Sequence, residues 1–190
     1  MKAKKIIIGI TGASGSIYAI KLIESLEKMD IYIHIVASET GKKVLEYEMG
    51  KSLENFTNSF PKNRIILEDD KNFFSSIASG SFKTDGMIIV PCSVSTLGSI
   101  ANGIASNLLH RAATVCLKEK RNLILAVRES PLTSIDLQNM LTLSNAGATI
   151  MPLSPAFYGK QETLEDLVNF MVGKILDNLN IENNIYKRWK

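Results

Sequence analysis

Apolar positions along this chain fall into two alternating patterns. Ile6 to Ile10, Ile31 to Ala37, Met87 to Val90 and Leu123 to Val127 are short unbroken runs without the every-other-residue alternation of a half-exposed strand. Such runs suit strands covered on both faces, as in a parallel sheet. Between them, apolar residues recur at helical spacing: Ile17, Leu22, Ile23 and Leu26, then Leu137, Met140, Leu141 and Leu143, then Leu164, Leu167, Val168, Met171, Ile175 and Leu179. Thr40 to Met49 and the region from Ser93 to Arg121 read as further helix, and Ala148 to Met151 as the last strand. Residues 52–71 read as a connecting region holding one short strand around Arg64 to Leu67. Thr163 is placed to cap the final helix, and Gly147 to close the helix that starts near Thr133. Because strand and helix signals alternate throughout, the expected fold class is α/β, a three-layer, doubly wound, mostly parallel sheet in a single domain over 1–190.

Ligands of such sheets gather at the carboxyl ends of the strands, and here those ends are polar. The first strand runs into Thr11-Gly12-Ala13-Ser14-Gly15-Ser16, a glycine-rich turn ahead of a helix. It reads equally as a site for close phosphate approach and as a tight strand-to-helix turn; it lacks the Gly-Lys-Ser/Thr of an NTPase P-loop. Ser38 ends the second strand, where a hydroxyl can bond a ribityl, ribose or phosphate group or serve an ordinary turn. Pro91-Cys92-Ser93 and Arg128-Glu129 follow the other two strands, and the charged pair, abutting a strand end and followed by Pro131, is expected to face a cleft. His34 reads as a core or sheet-face histidine, and Glu48, late in its helix, as a solvated carboxylate. Phe73 to Ser81 makes an apolar, hydroxyl-rich loop, either functional or placing Phe73 and Phe74 as plugs of the core. The small residues from Ser93 to Ser106 permit close approach to a helix, a flat ligand or another subunit. Trp189, the single tryptophan, lies in a tail otherwise expected to be loose, which points to docking on a neighbour or a ligand.

Composition removes several functions. The 22 basic and 19 acidic residues are dispersed, giving a net charge of +3 without the concentrated basic face that nucleic-acid binding requires. Lys2, Lys4 and Lys5 precede an apolar run too short for a signal peptide or a membrane span, so a cytoplasmic protein is expected. Two cysteines, Cys92 and Cys116, and two histidines, His34 and His110, share no ligand spacing, so no metal is expected.

Read together, Gly9-Ile-Thr-Gly-Ala-Ser-Gly15, Ile77-Ala-Ser-Gly80, Pro91-Cys-Ser with Thr96-Leu97, Asn107-Leu-Leu, Arg111-Ala-Ala, Leu117-Lys118-Glu119, Arg128-Glu129 before Pro131, Asn139-Met-Leu, Ala146-Gly-Ala and Pro155-Ala-Phe-Tyr158 resemble the UbiX-type flavin prenyltransferases, end to end. The resemblance implies a Rossmann-like flavoprotein fold and an enzyme that joins a dimethylallyl group, usually from dimethylallyl monophosphate, to N5 and C6 of reduced FMN without a metal ion. The implied product is prenylated FMN, consumed by a UbiD-type decarboxylase. FMN would lie on Gly12, Ala13, Ser14, Ser38, Ser93, Thr96 and Arg111. The allylic phosphate would lie near Ser79, Lys118, Arg128, Tyr158 and Lys174, with Trp189 and Tyr158 as an apolar wall and Glu48 and Glu129 as acidic residues of the reacting centre. Lys174 departs from the Arg of many relatives, keeping the charge but not the bidentate fork. The resemblance also implies a homo-oligomer, commonly a dodecamer, with sites built from several subunits.

Three other readings compete. Flavin-dependent cysteine decarboxylases resemble this chain in fold but carry Pro-Ala-Ser-Ala-Asn-Thr where it has Pro91-Cys-Ser-Val-Ser-Thr96, and use an early-helix histidine that it lacks. A short-chain dehydrogenase needs Tyr-x-x-x-Lys in its catalytic half; Tyr47/Lys51 and Tyr186/Lys190 have the spacing at the wrong places. A non-catalytic FMN carrier would have no use for Lys118, Arg128 and Tyr158 together.

Overall fold

The computed structural model describes residues 3–61 and 63–189. Six strands form one sheet in the order β3-β2-β1-β4-β5-β6, with every neighbouring pair parallel. They are β1 (Lys4–Ile10), β2 (Ile31–Ala37), β3 (Ile65–Glu68), β4 (Gly86–Cys92), β5 (Leu123–Val127) and β6 (Thr149–Pro152). The helices are α1 (Ser16–Glu27), α2 (Glu39–Met49), α3 (Leu53–Thr57), α4 (Val94–Ala101), α5 (Leu108–Lys118), α6 (Ser134–Asn145) and α7 (Leu164–Asn178). The expected α/β class, with its doubly wound parallel sheet, is what the chain forms.

The unbroken apolar runs work because alternate side chains enter different layers. Ile6, Ile8 and Ile10 of β1 pack with α1, α2 and α7, while Ile7 joins Met87, Ile89, Leu123 and Leu125 under α4 and α5. Burying each such side chain contributes about 1.5–3 kcal/mol, so neither face of the central strands tolerates a polar residue cheaply. The strand order reverses direction between β1 and β4, and that switch point opens the crevice in which ligands of open sheets bind.

Several details differ from the sequence reading. β4 does not stop before Pro91; it continues to Cys92, and the β4–β5 register shifts between Ile89 and Cys92, so an irregularity accommodates the proline's missing N–H. The short helix α3, capped by Ser52, lies inside the expected connecting region. Phe73 and Phe74 are exposed, Phe74 fully, so they plug no core in this chain. α5 ends at Lys118, and Arg121 belongs to the following turn, where it donates to the carbonyls of Gly80 (2.5 Å) and Phe82 (2.8 Å). Of the apolar residues expected on α6 only Leu143 is buried; Leu137 and Leu141 are exposed, as is Ile135. Thr133 and Thr163 both cap their helices through reciprocal boxes with Asp136 and Asp166. Lys2 and Lys190 lie outside the described residues. Among the described residues no helix is long and apolar enough to cross a membrane.

Candidate functional site

At the switch point, Thr11 joins the ends of β1 and β4. Its buried hydroxyl donates to the Pro91 carbonyl (2.7 Å) and accepts from the Ser93 amide (2.8 Å), while the Ser38 amide donates to the Ile10 carbonyl (3.0 Å). Three strand ends are thereby held at one level, and each feeds a helix. Ser38 caps α2 by accepting from the Gly41 amide, and Ser93 caps α4 by accepting from the Thr96 amide. The sequence places Thr11 only at the head of the glycine-rich turn, with no role of its own; the meeting of β1 and β4 gives its hydroxyl one.

The glycine-rich turn sits against α2. A Cβ at Gly12 would come within 2.5 Å of Thr40 Cγ2, so the turn can approach α2 only with glycine there. Glu48 is not a merely solvated carboxylate. Its oxygens accept from the amides of Gly15 (3.1 Å) and Ser16 (2.8 Å), at the N-terminus of α1, where unpaired N–H groups favour negative charge. Burial works to raise the carboxyl's pKa, but hydrogen bonds, chiefly from the Ser14 side chain and from the Ser16 and Gly15 amides, together hold it below the ordinary carboxylate value. Glu48 is therefore ionised at neutral pH and ties Ser14 in place. Ser14 itself is exposed.

At the end of β5, Arg128 is half-buried, its amide donates to the Cys92 carbonyl (3.2 Å), and its buried Nε has no partner within the chain. A guanidinium nitrogen withdrawn from water without an acceptor costs free energy, so this position is suited to an anionic ligand. Glu129 beside it is exposed and accepts from the Ser130 amide.

Other expected residues lie elsewhere. Lys118 closes α5, which leads through a short turn into the start of β5, and so it stands at the opposite end of the sheet from Arg128. It pairs with Glu119 at 2.9 Å, beside Gly80 and hence near exposed Ser79. Arg111, in the first turn of α5, donates from Nε to the Ala78 carbonyl (3.1 Å), fixing the same loop. Thr96 is the exception: buried in the first turn of α4, its hydroxyl accepts from Ser93 Oγ (3.2 Å), so it stands with the strand-end group. Tyr158 leaves the loop after β6 and meets Trp189 edge-on, ring centres 5.0 Å apart. Lys174 is exposed on α7, on the helix layer opposite to Lys118. One chain thus brings together Gly12, Ala13, Ser14, Ser38, Ser93, Thr96, Arg128 and Glu129, with Glu48 beneath the turn, but not Ser79, Lys118 or Lys174. Of the tyrosines with the dehydrogenase spacing, Tyr47 is exposed on α2 and the Tyr186 hydroxyl is bound to Asp177.

The flavoprotein family model matches residues 1–176. A flavin prenyltransferase UbiX of Aquifex aeolicus is 47% identical over 98% of this chain and 99% of its own length. The chain belongs to the UbiX flavin prenyltransferase family. Among solved UbiX structures, AnUbiX in complex with FMN and dimethylallyl pyrophosphate superposes with a TM-score of 0.94 at 36% identity, covering all of this chain and 98% of that one. A dodecameric FMN-dependent UbiX-like decarboxylase from Escherichia coli O157:H7 superposes at 0.92 with 39% identity over 98% and 99% of the two chains. The peptidyl-cysteine decarboxylase EpiD, at 18% identity and a TM-score of 0.65, shares the fold alone with this UbiX relative.

Proposed function

We infer that this chain is a flavin prenyltransferase, joining the dimethylallyl group of dimethylallyl monophosphate to N5 and C6 of reduced FMN and releasing prenylated FMN for a UbiD-type decarboxylase. The observation that carries the reading is the near-half identity, over essentially the full length of both chains, to a protein of that name.

The residues present fit FMN. Hydroxyls of Ser14, Ser38 and Ser93 stand at the ends of three adjacent strands with helix N-terminal amides behind them, a donor set for a phosphate and a polyol chain. The unpartnered Nε of Arg128 stands at the same end of the sheet, placed for the phosphate of the allyl donor beside the flavin. Reduced FMN, when bound, supplies the nucleophilic N5 and C6 positions. Gly12, Ala13, Thr96 and Arg111 complete its cradle.

The chain's remaining work is to make phosphate a good leaving group and keep water from the allyl carbon. Lys118, Arg128 and Lys174, with the hydroxyls of Tyr158 and Ser79, bond the phosphate oxygens as the C–O bond breaks and negative charge grows there. Tyr158 and Trp189 face the electron-deficient allyl group with π surfaces. As the first bond forms the N5 proton leaves, and as the second closes Glu129 takes the proton lost from C6 while one is delivered to the alkene carbon beside the new bond, the departing phosphate being the alternative carrier, so the net gain is one C5H8 unit. Glu48 holds Ser14 and the α1 amides in register. Since Ser79 and Lys118 stand at the far end of the sheet from Arg128, they complete the site of another copy in a homo-oligomer. The exposed Ile135, Leu137 and Leu141 of α6 provide apolar surface for such packing.

Anaerobic incubation of the protein with reduced FMN and dimethylallyl monophosphate, followed by mass spectrometry of the released flavin, tests the reading. A flavin heavier by one C5H8 unit is expected. Unmodified flavin with the monophosphate and with the diphosphate would overturn it.

A further inference from the structure

After α7 the chain turns at Asn180, buries Ile181 and runs back along the helix it has just left. The face it covers is formed by Phe170, Gly173 and Asp177, at i, i+3 and i+7. Tyr186 packs against Gly173, where any Cβ would overlap its ring. Asp177 collects the segment. Its carboxylate accepts from both ends of the Arg188 guanidinium (2.7 and 3.0 Å), from the Tyr186 hydroxyl (2.6 Å) and from Asn183 Nδ2 (2.9 Å). The Arg188 hydrogen bonds are the largest cause of the carboxyl's pKa falling to about 2, with further help from Tyr186 and Asn183 against the opposing effect of burial.

Trp189 follows Arg188 directly. It is 75% exposed, so packing against the body of its own chain holds it only lightly, yet its ring stands edge-on to Tyr158. Tyr158 in turn meets Phe170 edge-on (6.0 Å), and Phe170 meets Tyr186 (5.4 Å). Four rings therefore run from the Asp177 cluster to the tip of the tail, and the bidentate ion pair sits one residue from the tryptophan. A terminal segment with so little burial is ordinarily loose; the fork on Asp177 supplies the directional anchor that apolar contact does not.

We propose that Asp177 is a positioning residue that latches the C-terminal segment onto α7 and so holds Trp189 and Tyr158 together as the apolar wall of the allyl-donor site. The latch rests on the geometry alone; its effect on the donor rests on the prenyltransferase reading. Trp189 is the only tryptophan of the chain, so its emission reports the latch without any activity measurement.

The test compares the wild-type chain with Asp177→Asn, Asp177→Glu and Arg188→Gln. Acrylamide quenching and anisotropy of Trp189 emission are read alongside steady-state kinetics and FMN binding. Asp177→Asn and Arg188→Gln should both increase quenching and lower anisotropy. Both should raise KM for dimethylallyl monophosphate about tenfold, as expected when an ordered wall of a small-ligand site must be re-ordered on binding, with FMN affinity unchanged. Asp177→Glu should recover part of both effects. Arg188→Gln leaves α7 intact, so it decides the matter if the Asp177 variants fold poorly. Unchanged emission in Arg188→Gln, or a freed tryptophan with an unaltered KM, would overturn the proposal. A wild type that transfers no prenyl group would instead overturn the function, and the emission data would then decide the latch by themselves.

Discussion

The carboxyl end of the sheet and the periphery of the fold are built by different means. At the sheet end, Gly12, Ser14, Ser38 and Ser93 are short residues whose positions are dictated by strands buried on both faces, and Thr11 ties two of those strands together. At the periphery, Lys118, Lys174, Tyr158 and Trp189 are long or aromatic, exposed, and carried by helix ends, a loop and a tail. The first region is fixed by the buried core; the second, on the proposed reading, becomes a site through ion pairs and neighbouring copies. The half proposed to hold flavin therefore belongs to one chain, and the half proposed to hold the allyl phosphate is shared.

Four outcomes follow from that division. Glu129→Gln should show the largest effect, a loss of about 10²–10⁴-fold in kcat for prenylated FMN formation, since the proposed proton acceptor is removed while geometry is kept; quantitative mass spectrometry of the flavin product measures it. Lys118→Ala should lower kcat by about 10²-fold, the effect of deleting one donor to developing charge, and should leave FMN binding, measured by flavin fluorescence, unchanged. That contrast separates the two halves. Gly12→Val forces a side chain onto Thr40 and should destabilise the fold by about 1–3 kcal/mol while abolishing FMN retention, seen in thermal unfolding and flavin content. The smallest effect concerns acid. The Asp177 carboxyl titrates at about 2 in the folded chain against an ordinary 3.8, so its latch contributes fully above the ordinary value and is lost as pH falls through the folded one. Trp189 quenching should stay constant from neutral to mildly acidic pH and rise only below that range.

Much of the sheet end was legible in the sequence. The runs Ile6 to Ile10, Ile31 to Ala37 and Leu123 to Val127 declare strands because burial on both faces leaves no room for polar residues, and Thr163 and Gly147 mark helix ends by local chemistry. Glu48 was not legible from its own surroundings: its partners, Gly15 and Ser16, lie more than thirty residues away and meet it only when α2 packs beside the first turn. Asp177 is similar, since nothing local marks one helical aspartate as the acceptor of Arg188. Pro91 misled because a proline normally ends a central strand, and the register shift that absorbs it depends on β5. Exposed Leu137 and Leu141 show that helical periodicity reports an apolar face without saying which surface covers it.

The proposed sharing of the site between copies is tested most directly by mixing two inactive variants. Arg128→Ala and Lys118→Ala chains, co-expressed and shown by native mass spectrometry to form mixed oligomers, should regain prenylated FMN formation, because some sites then draw an intact Arg128 from one copy and an intact Lys118 from another. Mixed oligomers as inactive as either parent would contradict the sharing and require both residues to act within one chain.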